Sequence, residues 1–180
     1  MIISLRGTSG SGKSTLVRKI TALCEGGGVP HHVDGRRKAY YTTHDRPDNK
    51  TLAVIGHYEI HNGGVDTLKT IDEAYTLARK LDHDGCDVLM EGKCMSDGQK
   101  WALETWRDGF DFRVAHLNTP VRLCVSGVRE RGHSIAEHSI QRTYDKVARD
   151  VAEFQEAGMP HVASGSRADI YAKVREWLGL

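Results

Sequence analysis

An excess of charge of either sign is missing from this sequence. Its 25 Lys and Arg face 24 Asp and Glu, and a net charge of +1 supplies no overall field that would draw the chain to nucleic acid or to a membrane surface. Any anionic partner has to be held by a local patch. Long apolar runs are missing as well: none approaches the roughly 20 residues that span a bilayer, and nothing near Met1 has the layout of a secretion signal. A soluble protein with no membrane partner is expected. The four cysteines, Cys24, Cys86, Cys94 and Cys124, show no CxxC spacing and read as reduced thiols of a cytoplasm. The histidines show no metal-ligand spacing, since adjacent His31 and His32 would point to opposite faces of a strand, which argues against a structural zinc site. No internal repeat or low-complexity segment divides the chain, and 180 residues of which 39% are hydrophobic suit a single domain spanning 1–180.

What is present is an alternation. Short apolar runs rich in β-branched residues recur at Ile2–Leu5, Leu52–Ile55, Val88–Met90, Val114–Leu117 and His161–Ala163, separated by longer amphipathic stretches. That pattern predicts an α/β fold with a parallel sheet and helices on both faces. Helical periodicity predicts a helix over Thr67–Leu81, with others over 13–24, 97–107, 120–130, 139–157 and 167–178. Trp101 and Trp106 on one of these stretches read as packing residues. The stretch 30–59 breaks the alternation and reads as a hairpin insertion, with strands over Arg36–Thr43 and Leu52–Tyr58. Gly26-Gly27-Gly28 reads as a glycine turn ending the first helix.

The strongest local signal is Gly7-Thr8-Ser9-Gly10-Ser11-Gly12-Lys13-Ser14, a GxxxxGK[ST] pattern directly after an apolar strand and directly before a helical stretch continuing from Thr15. In such a loop, backbone N–H groups from Gly7, Ser9, Gly10, Ser11, Gly12 and Thr15 curl around phosphate oxygens. The helix N-terminus adds its dipole, Lys13 reaches the β and γ phosphates, and Ser14 holds magnesium. No NKxD-like guanine motif accompanies it. A P-loop kinase using ATP and Mg2+ is therefore expected, against a non-catalytic nucleotide-binding switch.

Ligands of open parallel sheets bind beyond the carboxyl ends of the strands, so those segments are where a second substrate belongs. Asp66 is placed to accept the proton of an attacking hydroxyl, and it equally suits the N-cap of the following helix. Glu59 is the competing base or a substrate-orienting group. Glu91, ending a buried run, has the position of a Walker B carboxylate that reaches magnesium. Arg36, Arg37 and Lys38, with Arg46 and Lys50 nearby in the turn, suit a phosphate backbone or an anionic metabolite, or simply a solvated face. Tyr40, Tyr41 and Tyr58 suit base stacking or sheet packing. Arg129 and Arg131, with Arg142 in support, suit a small lid over 129–139 that closes on transferring phosphates. Arg167 lies in Ser164-Gly165-Ser166-Arg167, the passage where an adenine is expected, and Ser166 also reads as a helix N-cap.

With these residues assembled, the chain resembles the phage 5-hydroxymethyluracil DNA kinases. The resemblance rests on the phosphate loop, Gly35-Arg36-Arg37-Lys38, Gly56-His57-Tyr58-Glu59, Gly63-Gly64-Val65-Asp66-Thr67 and Val88-Leu89-Met90-Glu91-Gly92, in family order across the first half. The chain departs from the family pattern at His61-Asn62. The resemblance implies transfer of the ATP γ-phosphate to the hydroxymethyl oxygen of 5-hydroxymethyluracil in DNA, with Asp66 as the base. His57, Tyr58, Gly63 and Gly64 then belong to the acceptor site together with Arg36, Arg37 and Lys38. The rival expectation is a kinase for a free nucleoside, nucleotide or other small metabolite.

Overall fold

The structure, a computed structural model, describes residues 1–33, 35–58, 63–92 and 94–180. Every residue of Ile2–Arg6 (β1) is buried, as befits a strand covered on both faces. Its side chains alternate, Ile2 joining one core cluster and Ile3 and Leu5 the other. Along the chain follow Lys13–Thr21 (α1), Glu25–His31 (β2), Tyr41–Asp45 (β3), Thr51–Ile55 (β4), Ile71–His83 (α2), Asp87–Glu91 (β5), Gln99–Arg107 (α3), Phe112–Leu117 (β6), Val121–Arg129 (α4), Glu137–Glu156 (α5), Val162–Gly165 (β7) and Arg167–Leu178 (α6).

Among the described residues, seven strands form one sheet in the order β2-β3-β4-β5-β1-β6-β7. From β4 to β7 the neighbours are parallel, while β3 runs antiparallel between β2 and β4. The sheet is therefore mixed, with an antiparallel extension that starts at Glu25, earlier than the expected insertion. Buried residues of α2, α3 and α5 pack on one face and those of α1 and α6 on the other. Cys124, Val125 and Val128 of α4 make a small separate cluster with Ile140 of α5. Because β1 lies between β5 and β6, the loop leaving it opens at the point where the strand order reverses, the usual place for a ligand in such sheets.

Four local expectations change. Gly26-Gly27-Gly28 does not end a helix: α1 stops at Thr21, and the glycines lie in β2. A Cβ on Gly28 would stand 2.5 Å from His44 of β3, so the bare backbone is what lets this strand lie down. The hairpin forms, but over Tyr41–Asp45 and Thr51–Ile55; Arg36–Ala39 is outside any strand. The helix expected from Thr67 begins at Ile71, because the N-cap Thr70 accepts the Glu73 N–H (3.1 Å) while Glu73 accepts the Lys69 N–H (2.7 Å), two bonds that fix the start there. Val65–Thr67 is a separate 3-10 turn, so Asp66 does not cap α2. Finally, Arg46 is not part of a basic surface. It is 3% exposed, pairs with Asp87 and with Asp48 at 2.6 Å, and donates to the Leu178 carbonyl. It sits with Lys50 at the turn end of the hairpin, a strand's length of ~17 Å from Tyr41.

Candidate active site

The phosphate loop is shaped from outside. Gly10 has φ 80°, and a Cβ there would stand 2.0 Å from the Cys124 carbonyl oxygen, so α4 packs directly on the loop backbone. Thr119 Oγ1 donates to the Ser11 carbonyl at 2.9 Å. Arg167 donates from Nε to the same carbonyl at 2.8 Å and from Nη2 to the Gly10 carbonyl at 3.0 Å. Thr8 Oγ1 donates to the Ile140 carbonyl at 3.3 Å. Gly12 is the N-cap of α1 with no side-chain cap and no acidic residue in the first turn, which leaves the first N–H groups of the helix for an anion. The Ser11 hydroxyl is buried without a hydrogen-bond partner among the described residues, and Ser9 lies in the turn of the loop.

Lys13 is 7% exposed and donates to the carbonyls of Gly7 (2.8 Å) and Thr8 (3.2 Å). Burial pulls its pKa down, while the carboxylates of Glu91 and Asp66 work against that pull. Glu91 ends β5 at 3% exposure and accepts a 2.8 Å hydrogen bond from Ser14 Oγ. Burial raises its pKa, against the opposing influence of Lys13 and Ser14. A buried carboxylate beside a hydroxyl is a donor pair suited to a hard divalent cation, which takes few protein ligands and completes its shell with water and phosphate. Among the described residues no cluster of three or more His, Cys, Asp or Glu side chains offers a protein-only metal site.

The His57–Tyr58 corner is built from interlocked glycines. Gly64 bridges to His57, its N–H donating to the His57 carbonyl at 3.1 Å. A Cβ on Gly56 would stand 2.0 Å from the Gly64 carbonyl oxygen, and one on Gly63 would stand 2.3 Å from that of His57. A Cβ on Gly64 would meet Glu91 Oε1 at 3.0 Å and the Tyr58 hydroxyl at 3.1 Å, so these groups converge on one point. Burial first and the Glu91 charge second hold the Tyr58 pKa well above the phenol range. Asp66 is exposed and lies over Gly92, where a Cβ would come within 2.8 Å of its Oδ1. Glu59 lies outside the described residues, as does His61-Asn62.

Next to the loop is a cavity of about 500 Å³, lined by Gly12, Thr15, Leu117, Tyr171 and a set of cations, Lys13, Arg18, Lys19, Arg131 and Arg167, against the single acid Glu130. Arg131 is held by donating Nε to the Gly127 carbonyl at 2.9 Å. Arg129 and Arg142 are exposed and are not among the lining residues. The stretch 129–139, expected as a lid, covers the last residue of α4, the link 130–136 and the first residues of α5. Arg36 lies 5.2 Å over the Tyr40 ring, and Arg37 and Lys38 are exposed. Their loop is at the active edge of the sheet, since the Gly56 N–H donates to the Tyr40 carbonyl at 2.8 Å. Tyr41 stacks on His31 with centroids 4.4 Å apart.

No protein-family model matches the sequence. Among curated proteins, the 5-hmdU DNA kinase of Pseudomonas phage PaMx11 is 40% identical over 131 residues, 72% of this chain and 68% of the relative. The 5-hmdU DNA kinase of Pseudomonas phage M6 is 30% identical over 162 residues, 82% of this chain and 81% of the relative. The chain belongs to the 5-hmdU DNA kinase family. It is a phosphotransferase, as its loop predicts. Among solved structures, deoxyadenosine kinase from M. mycoides with bound dATP aligns over 100% of both chains at a TM-score of 0.45 and 13% identity, too loose a likeness to carry a statement about substrate.

Sequence reasoning about this kinase missed the supports of the site. Thr119 and Cys124 have no local signature, because their contacts with the loop span more than a hundred residues. Arg6 did carry a signal, as the one charge in an otherwise uncharged strand immediately before the phosphate loop.

Proposed function

We propose that this kinase transfers the γ-phosphate of ATP to the hydroxymethyl oxygen of 5-hydroxymethyluracil within DNA. The observation that carries the reading is the convergence of Lys13, Ser14, Glu91, Asp66, Tyr58 and Gly64 on one edge of the sheet, in a chain whose relatives bear that name. The loop backbone from Gly7 to Thr15 and Lys13 hold the triphosphate, with Ser9, Gly10, Ser11 and Gly12 at its centre. Arg167 keeps the loop carbonyls turned outward. Ser14 and Glu91 would hold Mg2+, which neutralises charge on the β and γ oxygens.

The hydroxymethyl oxygen attacks the γ-phosphorus. The new O–P bond forms as the bond to the β-bridging oxygen breaks, ADP leaves with that electron pair, and the hydroxyl proton passes to Asp66. Asp66 is favoured as the base because α2 has its own cap in Thr70. Glu59 is the alternative base. Arg131, in the cavity wall, stabilises the transferring group, with Arg129 in a second rank on the exposed end of α4. Tyr58, His57, Gly63 and Gly64 wall the acceptor, and Arg36, Arg37 and Lys38 meet DNA phosphates beside it. The whole chain acts as a single domain with its antiparallel extension starting at Glu25, in the host cytoplasm of a phage infection. Among the described residues, no helix is long and apolar enough to cross a membrane.

The experiment is incubation with γ-labelled ATP and three acceptors: DNA containing 5-hydroxymethyluracil, the same DNA with thymine, and the free modified nucleoside. Label on the modified DNA alone is expected. Label confined to the free nucleoside, or none on any acceptor with ATP still hydrolysed, would overturn the reading in favour of a small-molecule kinase or a switch.

A further inference from the structure

Arg6, the last residue of β1, is 1% exposed. A guanidinium at that depth is costly to desolvate, and an apolar side chain would fill the same space more cheaply. Its partners among the described residues are dipoles, none of them a carboxylate. Nη1 donates to the Met95 carbonyl, Nη2 to the Tyr75 hydroxyl (3.0 Å) and the Gly98 carbonyl (3.4 Å), and Nε to Ser4 Oγ (3.1 Å). The guanidinium carbon lies 5.4 Å from the centroid of the Phe154 ring.

Those partners have a common place in the fold. Met95 and Gly98 belong to the strap that carries the chain from Glu91 at the end of β5 to α3. Gly92, at the head of the same strap, is the residue against which Asp66 rests. Tyr75 is on α2, which follows the Asp66 turn, and its hydroxyl donates to the Gly98 carbonyl at 3.1 Å. Leu5 is paired with Glu91 in the sheet, so Arg6 stands one step beyond that pair and one step before Gly7. A single side chain therefore ties the root of the phosphate loop, the strap and α2 together, through four hydrogen bonds from a rigid fork that no other residue type supplies.

We propose that Arg6 is a positioning residue that sets the strap, and the Asp66 carboxylate resting on it, at a fixed distance from the phosphate loop. The inference rests on the assignment of Asp66 to the acceptor side. In-line transfer tolerates little displacement of the base from the γ-phosphate, and an ångström of drift costs on the order of 10²-fold in rate. The charge matters less than the fork, since the groups it holds are carbonyls and a hydroxyl.

The test compares Arg6→Met, Arg6→Lys and Tyr75→Phe with wild type in kcat, acceptor KM, MgATP Kd by calorimetry, and hydrogen exchange of the 92–98 segment. Arg6→Met is expected to lose about 10- to 100-fold in kcat with MgATP Kd changed less than about threefold, together with faster exchange confined to the strap and α2. Arg6→Lys should recover part of kcat, and Tyr75→Phe should lose about three- to tenfold. Unchanged kcat and strap exchange in Arg6→Met would overturn the proposal. So would a loss of kcat and MgATP affinity in equal proportion, unrelieved in Arg6→Lys, which is the mark of a merely structural residue. If Arg6→Met fails to fold, Tyr75→Phe decides: normal kcat there sinks the idea. The assay uses whichever acceptor wild type labels, so failure of the DNA reading leaves this comparison intact; if wild type labels none, strap exchange decides.

Discussion

Lys13 stands in a charge balance that a triphosphate would complete. Burial costs it stability as a cation, two carboxylates only partly compensate, and its donors meanwhile rest on the loop's own carbonyls. Lys13→Met should therefore lose transfer by about 10³-fold or more while unfolding at a temperature no lower than wild type. Transfer near the wild-type rate would remove Lys13 from the mechanism. Asp66→Asn keeps size and turn geometry but not basicity, so kcat should fall by about 10²- to 10⁴-fold with MgATP affinity nearly unchanged. An unchanged rate would move the role to Glu59. A third residue reports on stability alone. His116 is buried at the end of β6, its Nδ1 2.9 Å from Ser164 Oγ, and burial lowers its pKa to about 4. Between about 4 and 6.5 the unfolded chain takes up a proton that the folded chain refuses. The fold is thus at full stability above that window and loses up to about 3 kcal/mol as pH falls through it. Urea unfolding at both ends of the window should show the slope, and His116→Gln should flatten it.

At the scale of elements, the site depends on backbone packed against backbone. Gly56, Gly63 and Gly64 close the His57–Tyr58 corner onto the Asp66 turn with no room for a side chain. Gly56→Ala should destabilise the fold by about 2–4 kcal/mol in urea unfolding and lower activity more than nucleotide affinity, because it moves the acceptor side and leaves the phosphate loop alone. A fully stable, fully active Gly56→Ala would mean that the corner opens freely. The same glycines explain why the family segments were legible in the sequence: they are local patterns enforced by local crowding. The phosphate loop was legible for the same reason. The start of α2 was not, because the Thr70–Glu73 cap outweighed an apolar stripe beginning at Leu68. The fate of Arg46 was hidden too, its partners Asp87 and the Leu178 carbonyl being 41 and 132 residues away. Charge in a turn looks like surface until the sheet folds another strand beside it.

Seen whole, the molecule concentrates cations on one edge despite its near-zero net charge. Lys13, Arg18, Lys19, Arg131 and Arg167 line the cavity, and the 35–38 loop, joined to Gly56 through the Tyr40 carbonyl, adds Arg36, Arg37 and Lys38. Replacing those three by Ala should raise KM for DNA and flatten its dependence on salt, by up to about three counterions in slope, with KM for ATP unchanged. Unaltered salt dependence would place the DNA elsewhere. The chemistry itself is read most directly by digesting 5-hydroxymethyluracil DNA to nucleosides after reaction with magnesium ATP and identifying the products by mass spectrometry. The phosphorylated hydroxymethyl nucleoside, absent from the Lys13→Met reaction, is the predicted product. Phosphate found only at strand ends, or only on nucleoside supplied free, would contradict the account.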